Sequence, residues 1–129
     1  MQPKLLRVRT PLGEFDAHVW DGVNASGYRP MGDRVLVLPD QASEQTSGGI
    51  FLDESTRERV TAASETGVMV AMGDEAFLWN ADRRRRWEGE KPKPGDRVYY
   101  ERYAGTIVHG DDGLIYRVMD DKAIAAIRL

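Results

Sequence analysis

The stretch DRVLVLP at residues 33–39 contains a run of branched aliphatic residues, 35–38, that ends at Pro39. Branched aliphatic residues favour β-strands, and a proline ends such a run because it has no N–H for the next ladder bond. Residues 110–113 (GDDG) predict a hairpin turn, since Asp and Gly tolerate positive φ. Further short runs bounded by Gly, Pro or Asp are GVMVAM at 67–72, RVYY at 97–100, TIV at 106–108, LIYRV at 114–118 and AIAAIRL at 123–129. Regularly spaced short strands predict an all-β barrel or sandwich.

The composition excludes several classes of function. The chain has 129 residues, the length of one domain, and its net charge of -3 argues against a globally basic nucleic-acid or membrane binder. It has no cysteine, so thiol nucleophiles and cysteine metal sites are excluded, and two histidines make a histidine-rich site improbable. The absence of cysteine and of a long apolar run favours a cytoplasmic protein with no membrane span.

The sequence contains no motif that predicts catalysis or a cofactor. Neither a Gly-rich phosphate loop, nor a nucleophile elbow, nor metal-ligand spacing is present. The acid pairs Asp111-Asp112 and Asp120-Asp121 lie in predicted turns, which explain them better than a catalytic carboxylate pair does. We therefore expect a protein that is not an enzyme and carries no metal or cofactor.

The strand rhythm is interrupted between residues 39 and 66. Only seven of these 28 residues are hydrophobic, and three of the seven are the consecutive Ile50, Phe51 and Leu52, which follow Gly48 and Gly49. Polar flanks bury too little surface to offset the entropy of ordering, so we expect a mobile loop over about residues 40–64. The triplet is either a docking tag that orders in an apolar groove or the buried strand of a hairpin that turns at the two glycines.

A docking tag of this size needs more than one copy. Burying three large apolar side chains is worth roughly 4–9 kcal/mol, whereas ordering about eight backbone residues costs about 1–2 kcal/mol each. One loop would therefore bind weakly, and useful affinity requires several loops on one scaffold. The docking interpretation predicts an oligomer.

Several stretches, in order, resemble a known family, the GroES-type co-chaperonins (chaperonin 10). Residues 28–37 resemble the opening strand of that family, with its RPL-x-DRV-x-V pattern, and residues 47–52 resemble its mobile-loop motif. The other matching stretches are GVMVAMG at 67–73, KPGDRVYY at 93–100, RYAGT at 102–106 and IAAI at 124–127. The resemblance covers residues 28–129 and favours the docking interpretation of the triplet.

The resemblance implies a fold and a function. It implies a Greek-key β-barrel subunit of a homo-heptamer that caps an ATP-bound GroEL-type chaperonin (chaperonin 60) and closes the chamber in which unfolded client proteins fold. ATP would be bound by the large ring and not by this chain. The triplet Ile50, Phe51 and Leu52 would contact the partner, with Gly48 and Gly49 as the hinge. The implied subunit-interface residues are Tyr28, Pro30, Val35, Ile124, Ala125, Ile127 and Leu129.

Residues 1–27 precede the region of resemblance and form an extension of unknown role. Alternating residues at 5–9 and 17–20, separated by Pro11 and Gly13, are compatible with a hairpin, and residues 24–27 (NASG) resemble a linker. Val19 and Trp20 are candidates to pack on the barrel. The segment either adds a surface for another partner or is functionally idle.

The roof segment, about residues 73–91, is unusual for the family because it is rich in arginine. A hairpin centred on Arg83 would place Trp79 opposite Trp87, and a short helix from Glu75 to Arg86 is the other interpretation. The run Arg83, Arg84, Arg85 and Arg86 also defines the alternative function, a small β-barrel module that binds nucleic acid or acts as an adaptor. The net negative charge weighs against that alternative.

Overall fold

The protein is described by a computed structural model that covers residues 5–10, 13–18, 20–42, 53–79 and 85–129. These residues form strands joined by short turns, together with one α-helix and a single 3-10 turn at Asp121–Ala123. The elements are β1 (Leu5–Thr10), β2 (Gly13–His18), β3 (Arg34–Pro39), β4 (Gln41–Ala42), α1 (Glu54–Ala62), β5 (Thr66–Met72), β6 (Arg97–Tyr100), β7 (Thr106–His109), β8 (Ile115–Asp120) and β9 (Ile124–Ile127). The expected all-β class is confirmed, and the strands from β3 onward follow the short apolar runs of the sequence.

The strands are arranged in two antiparallel sheets. The larger sheet has six strands in the order β7-β8-β3-β5-β6-β9, and the smaller has three in the order β1-β2-β4. Gly110 and Asp112 lie in the tight turn between β7 and β8, with Gly113 at a positive φ of 84°, as the sequence predicted. In this order β7 and β9 are the two edges of the larger sheet.

Strand β3 is buried on both of its faces. Val35 and Val37 lie in one apolar cluster with Met69, Phe77, Val98, Tyr100 and Met119, whereas Leu36 and Leu38 lie in a second cluster with Val70 and Tyr116. Successive side chains of a strand point to opposite faces, so an uninterrupted apolar run is what a doubly covered strand requires. Both clusters therefore depend on β3.

Helix α1 is the main departure from the predicted loop over residues 40–64. Residues 54–62 are helical, so the expectation of a structureless stretch is wrong for that part, and Gln41–Ala42 is strand. The helix begins because the side chain of Asp53 accepts a hydrogen bond from the N–H of Thr56 at 2.6 Å. Its apolar periodicity is weak, and only Thr61 is buried. A search for amphipathic helices therefore misses it.

The extension is folded onto the rest of the chain. Strands β1 and β2 form the anticipated hairpin, with Thr10 opposite Gly13, and β2 pairs in turn with β4. Trp20 packs against the second apolar cluster, as anticipated. Residues 24–27 are not a free linker, because Ser26 is buried and its carbonyl accepts a hydrogen bond from the N–H of Asp111 at 2.9 Å.

Replacing Trp20 should destabilise the subunit even though the family resemblance begins after it. The Trp20 ring partly covers the second apolar cluster, and its Nε1 donates to the Val23 carbonyl at 2.8 Å. For Trp20→Ala we expect a loss of about 2 kcal/mol in the free energy of unfolding, less than for a fully buried tryptophan. Urea denaturation at matched protein concentration measures it, with Val23→Ala as control because Val23 is 60% exposed. Equal stability of the two variants would contradict the packing role.

Candidate functional site

The predicted docking motif lies between two described parts of the chain, so the structure shows only the residues on either side of it. Gly48, Gly49, Ile50, Phe51 and Leu52 are outside the described residues. The structure describes the chain up to Ala42 and again from Asp53. The contacts of these two ends bound the segment that contains the motif.

A buried ion pair fixes the chain just before β4. The carboxylate of Asp40 accepts hydrogen bonds from both Nη atoms of Arg97, at 3.0 Å and 2.7 Å, and from the hydroxyl of Thr66 at 2.5 Å. The Asp40 side chain is nearly fully buried, and the arginine is about one-third exposed. A bidentate pair has a defined geometry, so it joins the end of β3 to β5 and β6.

Gln41 and Ala42 continue this attachment. The Gln41 amide donates from Nε2 to the Ile115 carbonyl at 3.0 Å and accepts at Oε1 from the Ile115 N–H at 3.2 Å. The side chain thereby reproduces both bonds of a strand pair with β8. The N–H of Ala42 donates to the hydroxyl of Thr61 in α1 at 2.7 Å, so the last described residue before the motif is tied to the helix that follows the motif.

The far end of α1 is held by a buried cation. Arg117 in β8 is only 2% exposed, and its guanidinium donates to the Ala62 carbonyl at 2.6 Å and to the Ala104 carbonyl at 2.7 Å. A positive charge beside the last carbonyls of a helix is favourable, and burial lowers the pKa of Arg117. Nothing in the sequence pattern identifies Arg117, because its role depends on a contact with a helix 55 residues away.

The predicted subunit-interface residues fall into two groups. Tyr28, Ala125 and Leu129 are exposed, and Ile124 and Ile127 are half-buried on β9, which is an edge strand. Pro30 and Val35 are buried inside the subunit, Val35 completely, and their place in the predicted contact stays a prediction. Val35 belongs to β3, whose two faces are both covered within the subunit.

The described residues of the roof segment are paired antiparallel, but in a register that differs by one residue from the predicted one. Trp79 is paired with Arg86 in an isolated antiparallel bridge, and the N–H of Trp87 donates to the Leu78 carbonyl at 2.9 Å. Trp87 instead turns inward and packs edge-on against Phe77, with ring centroids 5.3 Å apart. The predicted Trp79–Trp87 pair is therefore wrong, and residues 74–79 are not helical.

The charges of the roof are only partly described. Arg83 and Arg84 are outside the described residues, and Arg85 and Arg86 are exposed. The guanidinium carbon of Arg86 lies 4.8 Å from the centroid of the Trp79 ring, a cation–π contact. This contact occupies one face of the Trp79 ring, which is then not offered to a nucleobase, and so it does not favour the nucleic-acid alternative.

The base of the roof is held by a buried carboxylate that sequence analysis missed. Asp121, which is 1% exposed, accepts a hydrogen bond at Oδ2 from the N–H of Phe77 at 2.9 Å. Phe77 has a positive φ of 58°, a conformation that costs a non-glycine residue about 1 kcal/mol or more. Asp121 directly follows β8 and begins the 3-10 turn that leads into β9, so the same short segment supports the roof and connects to the terminal strand.

Within the described part of the chain, no group of three or more histidine or carboxylate side chains is arranged to hold a metal ion. Among the same residues, no helix has the length and apolarity needed to cross a bilayer.

Comparison with known proteins agrees with this architecture. A family model described as the chaperonin 10 kDa subunit matches residues 27–128. The co-chaperonin GroES of Treponema denticola is 31% identical over 77% of this chain and 94% of its own length. Those of Bacillus sp. strain PS3 and Lactobacillus acidophilus are 34% and 36% identical, each over 77% of this chain and 96% of their own.

The fold and the comparisons define a small all-β chaperone subunit of the co-chaperonin type. The chain belongs to the chaperonin 10 kDa subunit family. The family match begins at residue 27, so the hairpin β1–β2 and Trp20 lie outside it.

The cap of α1 should respond to acid. The hydrogen bond from the Thr56 N–H lowers the pKa of Asp53 below its ordinary value of 3.8. The ionised carboxylate therefore stabilises the helix at pH values above the ordinary pKa. This stabilisation is lost as the pH falls through the lowered pKa. We expect the amide proton of Thr56, followed by NMR from about pH 6 to pH 2, to titrate with a midpoint below 3.8.

The control for this titration is Asp53→Asn. Asparagine also caps helices but has no charge to lose, so the Thr56 amide should show no transition in that variant. A midpoint at or above 3.8 in the natural protein would show that Asp53 does not cap α1 in solution.

Proposed function

We propose that this protein caps a large GroEL-type chaperonin as a homo-heptamer and closes the chamber in which unfolded client proteins fold. The observation that carries the proposal is the apolar triplet at residues 50–52, preceded by two glycines and lying between two firmly held chain ends within a family match of residues 27–128. The names of the relatives, co-chaperonin GroES, support the same role.

Ile50, Phe51 and Leu52 are the proposed contacts to the large ring, with Gly48 and Gly49 as the hinge. Their burial in an apolar groove supplies roughly 4–9 kcal/mol per loop, much of which is offset by ordering the backbone. Each subunit alone would thus bind weakly. Seven loops on one ring make every attachment after the first intramolecular, which raises the overall affinity by orders of magnitude.

The proposed ring contact uses the open edge of the larger sheet. β9 has no neighbour on its outer side in the described sheet, and an uncovered edge strand is a template for pairing with another chain. We assign the contact to residues 123–129 of one subunit and the segment that begins at Tyr28 of the next. Ala125 and Leu129 are exposed on the first side and Tyr28 on the second, as an interface requires.

In this proposal the chain is not an enzyme and binds no cofactor. ATP is bound and hydrolysed by the large ring, whose nucleotide state controls when the loops can dock. The chain acts by binding alone. It covers the opening of the chamber and stays attached to the large ring through several reversible contacts. We place this activity in the cytoplasm.

Assembly and docking are tested separately. Light scattering at several concentrations should give about 100 kDa, the mass of seven 14.5 kDa chains. Phe51→Asp should keep that mass but lose binding to the ATP-bound large ring by at least about a hundredfold, because each of seven contacts would bury an unpaired charge. Binding is measured by biolayer interferometry on an immobilised large ring.

A matched control is Tyr103→Asp, which likewise replaces an aromatic residue by a charged one, at an exposed position outside the motif. It should bind as the natural protein does. If Phe51→Asp docks normally, the triplet is not the contact site. A monomer at all concentrations would contradict the ring.

A further inference from the structure

We propose that the N-terminal hairpin β1–β2 positions the docking segment by anchoring its base. The inference rests on the proposed function, because it assigns a role in docking to residues that lie outside the family match. We call the unit formed by β2, β4 and α1 the collar. The collar holds both described ends of the segment that contains the docking motif, Ala42 and Asp53.

The first observation is the pairing of the extension with β4. Phe15 lies opposite Ala42 and Asp16 opposite Gln41, so β2 is the sheet neighbour of the last described residues before the motif. Phe15 is 2% exposed and Ala42 is completely buried. A two-residue strand has little stability alone, and β2 supplies both its ladder partner and its apolar cover.

The second observation is that β4 is bonded to α1, the helix that follows the motif. The hydroxyl of Thr61, in the last turn of α1, accepts the hydrogen bond from the Ala42 N–H, and Thr61 is 1% exposed. The helix is capped at Asp53 and held at Ala62 by the buried Arg117. The described attachments thus reach Ala42 on one side and Asp53 on the other and leave only residues 43–52 outside them, whereas the polar stretch seen in the sequence spans residues 39–66.

The third observation concerns the path of the extension. Residues 20–27 run along the barrel and are fixed at Trp20, which packs on the second apolar cluster, and at Ser26, which is bonded to Asp111. These two attachments fix residues 20–27 on the barrel. The position of the hairpin beside β4 therefore does not depend on the docking segment. The hairpin can therefore be removed while the attached residues 20–27 stay in place.

The physical consequence is a smaller entropy loss on docking. A backbone residue that is already ordered before docking adds no further loss of conformational entropy when the segment docks. Without the hairpin, Ala42 would lose its ladder partner Phe15 and keep only its bond to Thr61, so more of its ordering would take place during docking. Because seven loops act together, even a modest loss per loop is multiplied across the ring.

The main test deletes residues 1–19 and keeps Trp20 onward. We expect the heptameric mass to be unchanged, the affinity for the ATP-bound large ring to fall at least about tenfold, and the Ala42 amide to exchange with solvent faster. Affinity is measured by biolayer interferometry and exchange by mass spectrometry on the free ring. Unchanged affinity together with an intact ring would overturn the proposal.

A point variant covers the case in which the deletion fails to fold. Thr61→Val keeps the shape of the side chain but removes the acceptor of the Ala42 N–H. We expect faster Ala42 exchange and severalfold weaker docking, with Thr61→Ser restoring both because serine retains the hydroxyl. Thr106→Val makes the same chemical change at an exposed position in β7, outside the collar, and should alter neither.

Phe51→Asp in the same assay separates this inference from the proposed function. If Phe51→Asp abolishes docking but the deletion and Thr61→Val bind normally, docking stands and the anchoring role is wrong. If the natural protein itself does not dock, the proposed function and this inference both fail. Weaker docking by both collar variants, with the control unchanged, supports the anchoring role.

Discussion

Both faces of strand β3 are apolar and have to be buried, and the rest of the chain packs against each of them. Val35 and Val37 are enclosed by residues of β5, β6 and β8 and by Phe77 at the base of the roof, while Leu36 and Leu38 are enclosed with Val70, Tyr116 and the partly buried Trp20. The roof and the extension, which differ most from what the family resemblance describes, thus meet the same central strand from opposite sides. Folding of β3 and placement of these two segments are energetically linked.

The subunit combines a rigid frame with a weak contact. Asp40, Gln41 and Thr61 tie the frame to the ends of the docking segment through buried hydrogen bonds, which keep a defined geometry because no water competes for them. In the proposed function, the contact itself is left to three apolar side chains. Under that proposal, this division would suit a cap that binds firmly as a ring and still leaves when the large ring changes state, since weak single contacts can be released one after another.

The parts of the fold that could be predicted are those whose cause is local. Branched residues at 33–38 and the GDDG turn at 110–113 specify a strand and a hairpin without reference to distant residues. Helix α1 could not be predicted from periodicity, because its stability comes from the Asp53 cap and from contacts of Thr61 and Ala62 with β4 and β8. The predicted partner of Trp79 was also wrong. Trp87 packs inward on Phe77, and this packing sets the register in which Trp79 pairs with Arg86. The predicted docking motif rests on family resemblance, whereas the pairing of β2 with β4 could be seen only in the structure.

Gly27 joins the extension to the barrel where it passes the β7–β8 turn. It has a positive φ of 86°, and a Cβ at this position would collide with the carboxylate of Asp111. Transplanting the hairpin onto another co-chaperonin would therefore require more than fusing residues 1–26 to its first residue. The recipient needs a glycine at the junction and a compatible loop beneath it, so the graft is an exchange of two matched segments.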